Sequence, residues 1–475
     1  MWVVTALVCM PSFLFGYVSA SLNSCLVTGD GDSIDACFDN TDDESNNCPP
    51  GTVYNDIKLT NTMAQLATAL MVLGSWMGCL MGSAPAEKYG RRLVCLWNNV
   101  LFIAGALLCA SGEESLLYIG RFVAGLGVGI ESVVVPVLLS EIASEETRGT
   151  ITTMHQLFLT VGIFMASAVG YGLVMYVEHG WQYLQATIAV PAIIMTLGAP
   201  LIPESPKWLV QNGRQDEAAT ALKMVRGPET DVYAELADLI ADSKANDNEN
   251  EASWKEVFAC RRPVVIGIGL MCMAALTGIN TVIFYSTSIF SYAGFDQSIL
   301  ATLSVGAVNF FSTVLACYLV DILGRKTLLQ VGTQIMTAAL LLLSVILLTA
   351  NDNVPVQGAI AVVAVLIFVF GFAIGLGAVS WVVMAEIMST RLRSKAFGLF
   401  VSINWGFNLI IGMLTLSAIE GLGGTTSDMD DDEQDDANKR GVAYLYFIIA
   451  GICFASVLFI MKYIPETRGK TPESF

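Results

Sequence analysis

Apolar residues run along this chain in long, nearly uninterrupted stretches, with polar and charged residues gathered into the gaps between them. A helix needs about 20 largely apolar residues to cross about 30 Å of hydrocarbon, because inside lipid each backbone amide has to be satisfied within its own segment. Twelve stretches qualify: 2–22, 63–84, 93–111, 116–139, 151–174 and 181–202, then 264–290, 298–320, 328–349, 358–384, 396–419 and 441–463. Between the two sets of six lies a polar segment with amphipathic helical patterning at 215–225 and 232–242. The pattern predicts an all-α membrane protein: bundles over 1–202 and 263–464, a helical linker over 203–262 and a tail over 465–475.

Composition supports the membrane reading. Of 475 residues, 54% are hydrophobic and 14% charged, against roughly 25% charged in a soluble domain. Of the 24 Lys and Arg, all but Lys58, Arg121, Lys439 and Arg440 fall on one side of the spans. That side is expected to be cytosolic, which puts both termini inside, with little or no tail before the first span. The net charge of −18 then lies largely outside, in loop 29–57 and in the acidic run 428–436. Such runs read first as solvated, disordered loops, and second as attractors of cations at a pore mouth. Most of the 11 cysteines sit in spans as small apolar groups; Cys37 and Cys48 lie in the first external loop, where a disulfide, with Cys25 as another candidate partner, is consistent with an oxidising compartment. With two histidines, no CxxC and no nucleophile–base cluster, an enzyme, a metal site and a cofactor are not expected.

The two sets of spans repeat each other. Glu87 precedes Gly90, Arg91 and Arg92 after the second span, as Asp321 precedes Gly324, Arg325 and Lys326 after the eighth. Glu141 and Arg148 follow the fourth span seven apart, as Glu386 and Arg393 follow the tenth. PESPKW, with Glu204, follows the sixth span, and PETRGK, with Glu466, the twelfth. The intervals between counterparts are 234, 245 and 262 residues (Gly90 to Gly324, Glu141 to Glu386, Pro203 to Pro465), the signature of a duplicated six-helix unit with loops of variable length. Carriers built from such halves bind substrate between them near the midplane and expose it by rocking. Acid–base pairs at one mouth, formed when it is shut and broken when it opens, would bias that equilibrium; topology-setting charge is the plainer reading of any single Arg.

With these motifs in view, the chain resembles the sugar porter family of the major facilitator superfamily over nearly its whole length. The likeness rests on GRR at 90–92, GRFVAGLGVG at 120–129, HQL at 155–157, PESPKW, TGINTVIFYS at 277–286, GRKTL at 324–328, NWGFN at 404–408 and PETRGK. The resemblance implies twelve helices in two bundles and a central sugar site using Gln156, Asn280, Asn309, Trp381, Asn404 and Trp405. The residue types agree: an intramembrane amide is costly unless it faces a cavity or partner helix, and it offers a sugar hydroxyl both donor and acceptor. An indole covers the C–H face of a pyranose. The plainer readings are interhelical glue for each amide and packing for each Trp.

Three departures from the family pattern matter. Ala274 and Ala275 stand where the family commonly has two glutamines. GLGAVSW (375–381) lacks the family's proline, leaving Gly375 and Gly377 as the source of any bend, and Ala373 replaces an acid of some glucose facilitators. Proton-linked members carry Asp after FGY on the first span, opposite the arginine that matches Arg121, and here Val18 follows FGY. Valine carries no proton, so facilitated diffusion of a small sugar, a hexose such as glucose, is expected. Glu131, inside the fourth span, opens the alternative of proton-coupled sugar or polyol symport; a sugar-hydroxyl acceptor stands beside that role, and a group paired within the bundle is the plainer reading. A transporter-like sugar sensor would carry longer cytosolic tails. The expected partners are the sugar and a bilayer, by expectation the plasma membrane, and not nucleic acid; oligomeric state stays open, a monomer included.

Overall fold

The computed structural model describes residues 2–26, 49–57, 59, 61–144, 147–227, 230–246, 253–292, 298–349, 354–388, 392–425 and 431–467. Cys37, Cys48 and most of the first acidic loop lie outside these residues. Ten described helices are long and apolar enough to cross a membrane. The first and sixth crossings are each assembled from two shorter helices, Trp2–Val8 with Met10–Ser21 and Gly180–Ala186 with Ala189–Leu197. Pro11 and Pro191 lie near the two breaks, and a proline removes an i to i−4 bond and crowds the carbonyl four residues back.

In the first half the second span is Asn61–Tyr89, the third Arg91–Cys109, the fourth Glu114–Ile142 and the fifth Arg148–Tyr176. In the second half the seventh span is Arg261–Leu276 continued by Ile279–Tyr292, the eighth Ser298–Leu323 and the ninth Arg325–Thr349. The tenth runs Val354–Phe372, Ala373–Gly377 and Ala378–Ile387, followed by Arg393–Gly423 and Asp431–Tyr463. The last helix begins earlier than its apolar run, so part of the acidic segment expected as a loop is helical from Asp431.

Small residues set the packing within the first half. Gly74 and Gly78 on the second span lie against backbone of the fourth, and Gly125 and Gly129 on the fourth lie against backbone of the second. Two small-xxx-small stripes facing each other let the helices meet along their backbones, where a side chain would hold them apart. The two halves touch along the second and eleventh spans and along the fifth and eighth. Helices Pro206–Gln211, Gln215–Arg226 and Tyr233–Asn246 form a separate small core around Trp208, Leu209, Leu222, Val232 and Leu236. Arg226 ties it to the end of the fourth span by donating to the Ile142 carbonyl (2.8 Å) while pairing with Glu235 (2.7 Å).

Two spans of the second half are broken at the level of the cavity described below. At Gly278, φ is +80°, a conformation that glycine adopts without the Cβ penalty, and the seventh span restarts at Ile279. Residues 373–377 form a π turn in which Gly375 leaves helical geometry (φ −104°, ψ −105°). A Cβ on Gly332 of the ninth span would sit 2.5 Å from the Gly371 carbonyl oxygen and 2.7 Å from Gly375 Cα. The bend that the family's proline would provide therefore comes from glycines packed backbone to backbone.

A candidate sugar site between the halves and its charged locks

Gln156, Asn280, Asn309, Trp381, Asn404 and Trp405, drawn from five spans, all line one cavity of about 710 Å³ between the halves. Asn408, which motif reasoning passed over, lines it as well and joins three of the amides into a chain. Asn280 Nδ2 donates to Asn408 Oδ1 (2.7 Å), Asn408 Nδ2 to Asn404 Oδ1 (2.9 Å), and Asn404 Nδ2 to the Met271 carbonyl (3.0 Å). The spacing of Asn404 and Asn408, one helical turn, was the available signal. Asn309 Oδ1 is buried with no protein partner, an acceptor left for something inside the cavity.

Two tryptophans cross from the second half to the first. Trp381 Nε1 donates to Gln156 Oε1 (3.1 Å), and Trp405 Nε1 to Ser132 Oγ (3.2 Å). Trp405 is 4% exposed, so packing and lining are both its role. Ala274 lines the cavity while Ala275 is buried away from it, so one of the two missing glutamines falls on the site itself. Ala373 belongs to the π turn and does not line the cavity.

At the basic end the three repeated motifs converge. Arg91 meets Glu141 through two contacts of 3.1 Å and donates back to the Ala86 carbonyl (3.3 Å). Arg325 meets Glu386 (2.9 Å) and Asp321 (3.3 Å) and donates back to the Val320 carbonyl (3.1 Å). Glu204 accepts from the amides of Arg91 (2.9 Å) and Arg92 (3.2 Å), as Glu466 accepts from those of Arg325 (3.0 Å) and Lys326 (3.1 Å). Gly90 and Gly324 make room: both have positive φ, and a Cβ on either would run into that carboxylate. Burial pushes the Glu204 carboxyl above its ordinary range, with the amides of Ser205, Arg92 and Arg91 pulling it back.

The pairing differs from the one spacing suggested. Glu141 and Glu386 meet Arg91 and Arg325, fifty and 61 positions earlier, across neighbouring spans. Arg393 donates to the Met388 carbonyl (3.3 Å), and for Arg148 only the backbone, which opens the fifth span, is described. The side chain of Glu87 is exposed, while its carbonyl accepts from Trp208 Nε1 (2.7 Å). Arg92 Nη2 donates to the Ala199 carbonyl (2.9 Å). Each lock lies within one half; among the described residues at this end, Thr150 Oγ1 donates across the halves to Asp321 Oδ2 (3.1 Å), beside Gly149.

The two ionisable residues singled out inside the fourth span do not meet. Arg121 is buried and donates from Nη1 to the Val18 carbonyl (2.8 Å). Glu131, ten residues on and so about 15 Å along the helix, lies 3.8 Å from His155 Nδ1, and neither of its oxygens has a hydrogen-bond partner. His155, which the sequence shows only as the first residue of HQL, is buried, bonded to Ser12 Oγ (2.8 Å) and edge-on to Trp381. A histidine inside a span was the signal that could have flagged it.

A cavity lined by amides and indoles, held between duplicated helical halves whose basic ends carry mirrored locks, defines a membrane carrier. The sequence model of the family described as Sugar (and other) transporter matches residues 4–475. The chain belongs to that family, and it is a transporter rather than an enzyme. It is 34% identical over 406 residues to plastidic glucose transporter 4 of Arabidopsis thaliana, covering 85% of this chain and 70% of that one. It is 31% identical over 469 residues to human solute carrier family 2, facilitated glucose transporter member 14, covering 97% and 84%. Among solved structures, the proton:xylose symporter XylE bound to 6-bromo-6-deoxy-D-glucose superposes with a TM-score of 0.78 at 23% identity, over 99% of this chain and 97% of that one. The inward-open xylose transporter XylE from E. coli superposes with a TM-score of 0.71 at 22% identity, over 99% and 98%. The fold is that of the major facilitator superfamily.

Proposed function

We propose that the chain carries a small sugar, a hexose such as glucose, by alternating-access facilitated diffusion. The observation that carries this reading is the cavity itself: five amides (Gln156, Asn280, Asn309, Asn404, Asn408) and two indoles face one space. Amides bond hydroxyls in both senses and indoles cover the ring face. The named activities of the glucose-transporting relatives favour a hexose. Downhill movement is favoured because Arg121 rests on a backbone carbonyl, where protonation has nothing to release. In this reading residues 1–202 and 263–464 are the rocking bundles and 203–262 the cytosolic linker, 465–475 being a tail. The basic end is cytosolic, both termini are inside, and the membrane is the plasma membrane.

Purified carrier in vesicles, loaded on one side with labelled glucose and challenged with unlabelled hexoses, pentoses and polyols, tests the substrate class. Equilibration without accumulation is expected, and absence of any sugar flux would end the reading. Buried Glu131 favours a second reading, proton-coupled symport. Accumulation above equilibrium under an imposed proton gradient, abolished by Glu131→Gln, would establish that reading in place of facilitated diffusion.

A further inference from the structure

We propose that Glu131, His155 and Ser12 form a proton-binding site linked to the sugar cavity through Trp381, so that proton occupancy sets sugar affinity. The inference rests on the sugar reading above and holds whether or not the proton crosses with the sugar. Both the Glu131 and His155 side chains are fully enclosed, 3.8 Å apart. Ser12 on the first span occupies the hydrogen-bonding position at His155 Nδ1, at 2.8 Å, and the other ring nitrogen, Nε2, is buried without a partner. A carboxylate kept for packing alone would have its oxygens satisfied; here neither has a partner at full hydrogen-bond geometry, Ser12 being the neighbouring hydroxyl, and one imidazole nitrogen is likewise unsatisfied.

The groups around Glu131 leave the proton few other places to go. The first span presents Ser12 and the Cys9 thiol, the third span the Cys95 thiol, and the fifth span His155. Glu204 acts on Cys95 from the basic end, and Arg121 lies about 15 Å along the helix. No Lys or Arg pairs with Glu131 among the described residues.

One imidazole separates this cluster from the sugar site. The His155 ring lies 4.8 Å from the Trp381 ring at 74°, and Gln156, the next residue, accepts the Trp381 indole N–H. Trp381 and Gln156 both line the cavity, as does Phe15, whose ring lies 6.4 Å from that of His155. When the cavity is open, water reaches its walls and screens a charge on Glu131. When it closes over sugar that water is excluded, and a lone buried charge becomes more costly. One proton, taken from water through the open cavity onto a Glu131 oxygen, removes the charge, and no bond in the protein breaks. Closure over sugar therefore favours the proton, and by reciprocity the proton favours sugar.

The test is sugar affinity against pH, with the same pH on both sides of the vesicle. Labelled-glucose binding or equilibrium exchange is measured from about pH 5 to about pH 9, a window spanning the ordinary range of His and of a neutralised buried acid. Wild-type affinity is expected to weaken as pH rises, by up to about tenfold per pH unit for one linked proton. Glu131→Gln, which fixes a neutral group of the same shape, is expected to flatten the profile. His155→Asn serves as the second variant, and a displaced midpoint is expected there. A flat wild-type profile, a slope that survives in Glu131→Gln, or a midpoint unmoved in His155→Asn would overturn the proposal. Absence of displaceable glucose at every pH would instead overturn the sugar reading on which it rests.

Discussion

The amide chain Asn280–Asn408–Asn404 makes a prediction at Asn408, the residue motif comparison passed over. Asn408→Leu keeps much the same volume and removes two hydrogen bonds at once, of 2.7 and 2.9 Å. Each is worth about 0.5–1.5 kcal/mol net, so their loss unpins about 1–3 kcal/mol of amide alignment. If sugar binding uses the aligned amides, affinity falls roughly 5- to 150-fold. The assay is the KM for labelled-glucose exchange in vesicles, normalised to the amount of folded carrier. A cycle with Asn280→Ala separates a chain from two independent contacts: residues in one network couple by about 0.5–3 kcal/mol. The double variant should therefore lose less than the two singles together. Strict additivity, or an unchanged KM in Asn408→Leu, would refute the idea that these amides act as a unit.

Trp381→Ala should lower glucose uptake about tenfold or more while surface abundance stays normal, because both the ring face and the bond to Gln156 are lost; wild-type uptake would remove Trp381 from the site. Glu386→Gln removes the buried carboxylate that faces Arg325, only 7% exposed, and leaves it half-exposed Asp321, a loss of about 1–3 kcal/mol in the state that holds the pair. Labelling of a cysteine placed at the basic mouth should rise in that variant, and unchanged labelling counts against a gating role. At the acidic end Asp56 accepts from both His179 (2.7 Å) and Trp181 Nε1 (2.6 Å), and the bond and charge of Asp56 raise the His179 pKa above its ordinary value. A raised folded-state pKa means stabilisation present below about pH 6.5 and lost as pH rises through the folded value. Thermal melts should therefore show wild type losing more of its Tm between acid and alkaline pH than His179→Gln; equal losses would remove the clasp.

The spans were legible because lipid imposes one demand on all of them, an unbroken apolar run. The exceptions were breaks set by tertiary contact. Nothing local distinguishes Gly375 from other span glycines; it leaves the helix where Gly332 on the ninth span lets two backbones touch. The repeated acids and bases were likewise legible as motifs, but not who meets whom. Glu141 finds Arg91 fifty positions earlier, because the third and fourth spans bring their ends together at one face. The six site residues taken from family motifs do converge on one cavity, whereas Asn408 and His155 gain their meaning only once each helix has been turned to show which face looks inward.

The halves carry mirrored locks at the basic end and differ beside the cavity, and that difference bears on how a sugar would be sensed. In the first half the first and fifth spans approach along their backbones, Gly16 against the Leu159 carbonyl and Gly162 against that of Phe13, which leaves little freedom to bend. In the second half the seventh and tenth spans are broken beside the cavity, at Gly278 and in residues 373–377. Breaks beside the cavity are where a span can absorb the backbone change that closure around a ligand requires. Gln156 is the first half's amide at that boundary, and its carbonyl oxygen accepts from Trp381 Nε1 on the broken tenth span. A sugar hydroxyl that bonds Gln156 has to compete with the indole for that oxygen. Its arrival would be felt directly by the broken tenth span, with His155 packed behind Trp381.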